Sequence, residues 1–270
     1  MPKNVIVVGM ARSGTSLTAS IFAKKGYFVA DDPNGQLQAA NKNNPGGFWE
    51  LEDLKEANAS LLSAVGFRHH NTWTSNEILP RQAEAIGKLE HLDEHKGMVK
   101  YYEDKQPWIW KDPRFCYTLG YWWPLMNPET TAVLLVTRKA SEIRRSLLRA
   151  NWGDAPSADK AAYLKRIEDH IEFVRHTIRD LDIPHIEIDY GDYSSKGQDT
   201  ADKLGQYFGL DLSLDDLGYK SEYNTSAPRG YVAFMVERIA KIVPPGMRRF
   251  LKKTLPASVV RALMPKQKKR

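Results

Sequence analysis

Short apolar runs alternate along the chain with longer segments in which apolar residues recur every three or four positions. The short runs predict buried strands at residues 5–8, 27–30, 108–110, 132–136 and 185–189. The longer segments predict helices at residues 15–25, 51–64, 78–97, 137–148, 158–181, 199–208 and 231–243. Strands that alternate with helices in this way are typical of an α/β fold in which helices cover both faces of a parallel sheet.

Glycine stands at both ends of the loop that follows the first predicted strand. Gly9 and Gly14 are separated by four residues, and Gly14 opens the helix predicted at 15–25. Backbone N–H groups in such a loop, with the positive end of the helix dipole, form an anion site suited to a phosphate. The spacing is that of a nucleotide-binding P-loop, but Thr15 replaces the P-loop lysine and Arg12 is the only cation inside the loop. We therefore predict a P-loop-like three-layer α/β fold with a central parallel sheet of about five strands.

A lysine follows the third predicted strand. Lys111 comes directly after residues 108–110. In an open parallel sheet the ligand crevice lies beyond the carboxyl ends of the strands, so Lys111 is placed where an anionic ligand would bind. The alternative is a local ion-pair cluster that Lys111 forms with Asp112 and Arg114 at the end of the strand.

An arginine follows the fourth predicted strand in the same way. Arg138 lies just after the strand predicted at 132–136. Ser146 lies eight residues later, about two helical turns into the next element. A basic side chain at a strand end and a hydroxyl from the following helix can converge on one phosphate. The spacing alone is a weak signal, because Arg and Ser are common residues.

Three residues are candidates for a general base. Glu50 follows a long polar stretch at residues 31–47 and precedes the helix predicted at 51–64. It is either a helix N-terminal acid favoured by the helix dipole or a carboxylate that accepts a proton. His69 and His70 are competing bases, since the pKa of an unperturbed imidazole lies near neutrality, or they are ordinary polar surface residues.

Length and residue usage indicate one main intracellular domain. The 42% hydrophobic content of the 270 residues can fill a sizeable core, and we place the domain at residues 1–245 with a basic tail at 246–270. The single cysteine, Cys116, excludes a disulfide framework. No signal peptide precedes the first strand and no apolar run approaches the roughly 20 residues of a membrane span, so we expect a cytoplasmic protein.

The positive charge of the chain is concentrated at its end. The formal net charge is +6, yet residues 241–270 contain ten Lys and Arg and no Asp or Glu, which leaves 29 basic against 33 acidic residues before them, or −4. The mixture of apolar and basic residues in the tail predicts weak contact with a membrane surface, with a packed terminal helix as the alternative. Nucleic-acid binding is not expected, because it would require basic clusters in the body of the domain.

Together these motifs resemble the sulfotransferases that use 3′-phosphoadenosine 5′-phosphosulfate (PAPS), over most of the chain. Residues 11–16 resemble the 5′-phosphosulfate loop of that family, and an arginine in this loop is similar to the tyrosylprotein branch and to many bacterial members. Arg138 and Ser146 have the eight-residue offset of the 3′-phosphate motif. Residues 188–193, followed by 204–210, resemble the last strand and the helix after it.

The resemblance implies sulfuryl transfer from PAPS, without a metal, to a hydroxyl or amine. Arg12 and Lys111 would stabilise charge on the sulfonate and on the bridging oxygen. Glu50 would be the base by resemblance to the tyrosylprotein branch, and His69 or His70 by resemblance to cytosolic small-molecule sulfotransferases. The implied donor-binding residues are Arg12, Ser13, Gly14, Thr15 and Ser16 at the 5′-phosphate and Arg138, Ser146, Arg229 and Gly230 at the 3′-phosphate.

The acceptor implied is a small molecule, a glycan or a peptide. Large aromatic residues are candidates to line its pocket, with core packing as the alternative. Two other functions stay open: a P-loop nucleotide or small-molecule kinase, and a non-catalytic nucleotide-binding or membrane-docking module. The aromatic candidates are Phe48, Trp49, Trp73, Trp108, Trp122 and Trp123.

Overall fold

A computed structural model of the chain describes residues 4–41, 44–67, 80–150, 152 and 159–219. The chain divides into two compact units, Met1–Ser221 and Glu222–Arg270, and every described residue belongs to the first. The helix predicted at 231–243 and the boundary predicted at residue 245 lie outside the described residues.

Four parallel strands form the sheet of the described region. They are β1 (Asn4–Val8), β2 (Ile109–Lys111), β3 (Thr131–Thr137) and β4 (His185–Asp189), in the spatial order β2-β1-β3-β4. Val7 of β1 is in register with Lys111 on one side and Leu134 on the other. The carboxyl ends of all four strands therefore meet along one edge, where ligands bind in open α/β sheets.

The fifth predicted strand, at residues 27–30, is reduced to one bridge. Phe28 pairs in parallel with Trp108: its N–H donates to Pro107 O at 2.8 Å, and its carbonyl accepts from the Ile109 N–H at 3.0 Å. The chain then turns into a short helix that Asp32 caps, so pairing does not continue along β2. The predicted strand count is wrong by this one element.

Helices cover both faces of the sheet, which confirms the predicted α/β class. They are α1 (Thr15–Lys24), α2 (Pro33–Gln36), α3 (Glu52–Ala64), α4 (Pro80–Ile86), α5 (Asp93–Glu103), α6 (Phe115–Trp122), α7 (Ala140–Ala150), α8 (Lys160–Asp180), α9 (Asp192–Ser195) and α10 (Gly197–Phe208). Alternation along β1 divides the core, because Ile6 and Val8 pack with one buried cluster and Val5 and Val7 with the other. No helix of the described ranges is long and apolar enough to cross a membrane.

The single helix predicted at 78–97 is wrong, because the segment is divided between α4 and α5. The break is held by Tyr121 of α6, whose hydroxyl accepts the Leu92 N–H at 3.0 Å and contacts His95 Nδ1 at 2.8 Å. The Tyr121 carbonyl lies 2.9 Å from His91 Nε2. Helix α6 was itself missed, since it is apolar on all sides and lacks an amphipathic period.

A buried histidine on α8 makes stability depend on pH. His170 lies against Tyr117 with Nδ1 2.6 Å from the Arg166 carbonyl, and burial lowers its pKa to about 4. The unfolded chain binds the proton below about pH 6.5, so this stabilisation is complete above that pH and is lost as pH falls toward 4. We expect the free energy of unfolding to decrease by about 2 kcal/mol more between pH 7 and pH 5 in the wild type than in His170→Asn.

Urea denaturation at the two pH values measures this difference. His176→Asn changes an exposed histidine on the same helix and serves as the control. Equal pH dependence in the wild type and His170→Asn would contradict the assignment.

Candidate active site

The loop at residues 9–16 follows β1 and is fixed by close contacts with the ends of β3 and β4. A Cβ atom at Gly9 would lie 2.4 Å from the Val136 carbonyl oxygen, so a larger residue does not fit. Gly14 caps α1 with φ of 107°, and a Cβ there would lie 2.1 Å from the Tyr190 ring. Arg12 also has a positive φ, of 72°. The two glycines therefore let the loop turn tightly between its neighbours.

The loop presents hydrogen-bond donors that suit an anion. Ser13 is buried, and its Oγ has no hydrogen-bond partner among the described residues. Gly14 provides no side-chain oxygen to cap α1, and the first-turn N–H groups of a helix have no intrahelical partner. A buried hydroxyl and unsatisfied amides beside the positive end of a helix dipole fit a phosphate group.

Substituting Gly14 tests how strictly the loop needs glycine. We expect Gly14→Ala to destabilise the fold by about 1–3 kcal/mol, because alanine is strained at this φ and Tyr190 must move. Gly26→Ala is a matched control, since Gly26 has φ of 87° but nothing within 4 Å of its Cβ position. Urea denaturation should show a larger loss for Gly14→Ala; equal losses would mean that the Tyr190 contact is unimportant.

On the β2 side of the loop lies a lysine–glutamate cluster, formed by Lys111, Glu50, Ser16 and the Phe48 carbonyl. Lys111 Nζ donates to Glu50 Oε1, to the Phe48 carbonyl at 3.1 Å and to Ser16 Oγ at 3.3 Å. Ser16 Oγ donates to the Phe48 carbonyl at 3.2 Å and accepts from Asn44 Nδ2 at 3.0 Å. Both Lys111 and Glu50 are buried, so the ion pair lies in a site of low polarity.

The electrostatics of this cluster favour an acid–base role for Glu50. Burial raises the pKa of its carboxyl, Lys111 opposes that rise, and Asp112 adds to it. The local ion-pair alternative is found only in part. Asp112 pairs with Arg114 at 3.1 Å, whereas Lys111 pairs with Glu50. A carboxylate with a raised pKa therefore lies beside an ammonium group at the loop.

On the β3 side lies an arginine cluster, formed by Arg12, Arg138, Ser146 and Arg149. Arg12 Nε donates to Ser146 Oγ at 3.0 Å, and the Arg12 carbonyl accepts from Arg138 Nη1 at 3.1 Å. Arg138 Nε also donates to Glu142 at 2.9 Å. The cluster thus links the loop to the start of α7 and to its middle.

Two aromatic rings flank this cluster. The Arg138 guanidinium carbon lies 4.4 Å from the centroid of Tyr190, the residue that follows β4, and that of Arg12 lies 5.4 Å from the centroid of Trp152. Tyr190 thereby contacts both Gly14 and Arg138, which the sequence analysis missed. Its position just after a strand end, like those of Lys111 and Arg138, is the signal that could have indicated it.

Burial and mutual repulsion lower the pKa values of two arginines in the cluster. Burial, followed by repulsion from Arg138, lowers the pKa of Arg12. Burial, followed by repulsion from Arg12, Arg138 and Arg145, lowers the pKa of Arg149 to about 10. Arg149 was also missed, although its three-residue spacing from Ser146 places both on one face of α7.

The structure therefore divides the predicted residues between the two sides of the loop. Arg12 faces Ser146 and Arg138, whereas Ser16 contacts Lys111 and Glu50. The aromatic candidates Trp108, Trp122 and Trp123 are buried in the core, where they cannot line a pocket. Four predicted site residues and one aromatic candidate lie outside the described residues, namely His69, His70, Arg229, Gly230 and Trp73.

The similarity of this chain to known proteins is weak in both sequence and structure. No protein-family model matches it, and no curated protein matches it in sequence. Among solved structures, the sulfotransferase domain from the Synechococcus PCC 7002 olefin synthase is 13% identical with a TM-score of 0.46, and the match covers 97% of this chain and 87% of that one.

Two further structures are similar to the same degree. Sulfotransferase STF1 from Mycobacterium tuberculosis H37Rv is 12% identical with a TM-score of 0.42, covering 83% of this chain and 76% of that one. The sulfotransferase domain from the curacin biosynthetic pathway is 13% identical with a TM-score of 0.45, covering 86% and 82%. Because identity and TM-score are both low, these structures do not indicate the function of this chain.

Proposed function

We propose that this chain is a sulfotransferase that moves a sulfuryl group from PAPS to a hydroxyl or amine by in-line displacement. The observation that carries the proposal is the position of Lys111, whose ammonium group lies 3.3 Å from Ser16 Oγ and bonds to Glu50. A cation, a carboxylate with a raised pKa and an anion-binding loop thus lie side by side. These are the groups needed to stabilise a leaving oxyanion and to accept a proton.

The same position argues against magnesium-dependent phosphoryl transfer. In a P-loop nucleoside triphosphatase, the hydroxyl at the position of Ser16 binds Mg²⁺. The residue before it is the lysine that contacts the phosphates. Here Ser16 accepts a hydrogen bond from the ammonium group of Lys111, which repels a divalent cation, and Thr15 replaces the lysine. A sulfuryl group carries less charge than a terminal phosphoryl group, so a single lysine suits it better.

The loop and the arginine cluster suit the two ends of the donor. The Ser13 hydroxyl and the first-turn amides of α1 would hold the 5′-phosphate. Arg138 and Ser146, on the other side of the loop, would hold the 3′-phosphate through charge-assisted hydrogen bonds. Arg12 donates from Nε to Ser146 Oγ, and the terminal nitrogens of its guanidinium would contact the sulfonate.

Each bond change in the transfer has a group to support it. The acceptor oxygen or nitrogen forms a bond to sulfur while the bond between sulfur and the bridging oxygen breaks. The acceptor proton passes to the Glu50 carboxylate, and Lys111 neutralises the charge that develops on the bridging oxygen. Adenosine 3′,5′-bisphosphate and the sulfated acceptor are the products.

Two labelled donors separate this function from the kinase alternative. The chain is incubated with sulfur-labelled PAPS or with γ-phosphate-labelled ATP and Mg²⁺, each with a sugar, a phenol, a tyrosine peptide and an aliphatic amine. Label from PAPS in an acceptor supports the proposal and excludes a non-catalytic module. Label from ATP in an acceptor, with none from PAPS, would refute it.

A further inference from the structure

The guanidinium end of Arg149, a half-buried residue of α7, is shielded from solvent. Its terminal nitrogens Nη1 and Nη2 are shielded from solvent and hydrogen-bond to no described residue. Burying a guanidinium without acceptors costs free energy, and buried polar groups are normally satisfied by protein, water or ions. A group bound beside Arg149 would supply the missing acceptors.

The neighbours of Arg149 indicate that this group is an anion. Arg12, Arg138 and Arg145 all repel its charge. Glu142, an acid on the same helix, is already bonded to Arg138 Nε at 2.9 Å. Positive charge is thus concentrated around Arg149, and an anionic ligand would relieve the repulsion.

We propose that Arg149 binds the 3′-phosphate of the donor together with Arg138 and Ser146, and so selects nucleotides phosphorylated at both the 3′ and 5′ positions. This inference rests on the proposed function. A phosphate dianion has enough acceptor oxygens for two guanidinium groups and a hydroxyl. Arginine is suited to the site because its planar fork donates two parallel hydrogen bonds to a phosphate.

The geometry of α7 distinguishes Arg149 from Arg144 on the same helix. Ser146 and Arg149 are three residues apart and share one helix face. Arg144 lies on a different part of α7, with its guanidinium carbon 5.6 Å from the Tyr163 ring centroid of α8. Arg144 is therefore a matched control: the same residue type, on the same helix and also half-buried, but away from the cluster.

The test compares the binding of two nucleotides to the full chain. Arg149→Met should lower affinity for adenosine 3′,5′-bisphosphate by about tenfold to a hundredfold, the usual range for a lost charge-assisted hydrogen bond. Its affinity for adenosine 5′-monophosphate should stay unchanged, because that nucleotide lacks the 3′-phosphate. Arg144→Met should bind both nucleotides as the wild type does. Calorimetric titration measures all of these constants.

Thermal unfolding without nucleotide separates binding from folding. Removing this repelled cation should leave the Tm unchanged or raise it. A structural role for Arg149 would instead lower the Tm and weaken the binding of both nucleotides equally. Either that equal loss or an unchanged affinity for the bisphosphate would overturn the inference. If the wild type binds neither nucleotide, the proposed function itself fails.

Discussion

Replacing Lys111 with methionine should lower the turnover number for sulfuryl transfer by about 10²-fold or more, the usual cost of losing a group that stabilises transition-state charge. Methionine keeps a long, unbranched side chain but cannot donate to Ser16 Oγ or to a bridging oxygen. Steady-state kinetics with PAPS should show the loss in kcat, because Lys111 acts on charge that develops during the reaction.

Stability must be separated from catalysis in this variant. Lys111→Met leaves Glu50 buried without its ion-pair partner, and breaking a buried pair in this way commonly costs about 3–5 kcal/mol. The double variant Lys111→Met with Glu50→Gln removes both charges, so it should recover most of the stability but none of the turnover. Turnover that recovers together with stability would show that neither Lys111 nor Glu50 takes part in catalysis.

Glu50→Gln should lower turnover by about 10²-fold to 10⁴-fold, the range attributed to general acid–base catalysis. Because burial raises the pKa of Glu50, the carboxylate form is lost as pH falls through that raised value, and the wild-type rate should fall with it. Glutamine cannot titrate, so the acidic limb of the pH–rate profile should disappear. The measurement is kcat as a function of pH for both proteins.

A nearby acid provides the control for this experiment. Glu52 lies two residues later and pairs with Lys55 at the surface, so Glu52→Gln should keep the wild-type profile. If Glu50→Gln instead retains both its turnover and the acidic limb, the base is another residue. His69→Asn and His70→Asn would then be the variants expected to lose the acidic limb of the pH–rate profile.

The parts of the fold that the sequence predicted are those with local causes. The apolar run before Gly9 and the helical period after Gly14 each depend on adjacent residues, so β1, the loop and α1 could be read directly. The ends of β2 and β3 could be placed for the same reason, which brought Lys111 and Arg138 to one edge of the sheet. The bridge at Phe28 shows the limit, because the turn into the helix capped by Asp32 ends the pairing there.

The contacts that give the site its chemistry could not be predicted in this way. Arg12 and Ser146 are 134 residues apart, and Glu50 and Lys111 are 61 apart. Packing among separate elements determines on which side of the loop each side chain lies. Arg149 carries no motif of its own, and only its shielded terminal nitrogens and its repelling neighbours distinguish it.

Competition for one binding site is the most direct measurement of donor identity. Labelled adenosine 3′,5′-bisphosphate is bound to the full chain, then challenged with PAPS or with ATP and Mg²⁺ at equal concentrations. We expect the bisphosphate to bind without added metal, PAPS to displace it, and ATP with Mg²⁺ to displace it far less. Tight binding of ATP with Mg²⁺, with no binding of the bisphosphate or of PAPS, would contradict a PAPS-dependent sulfotransferase.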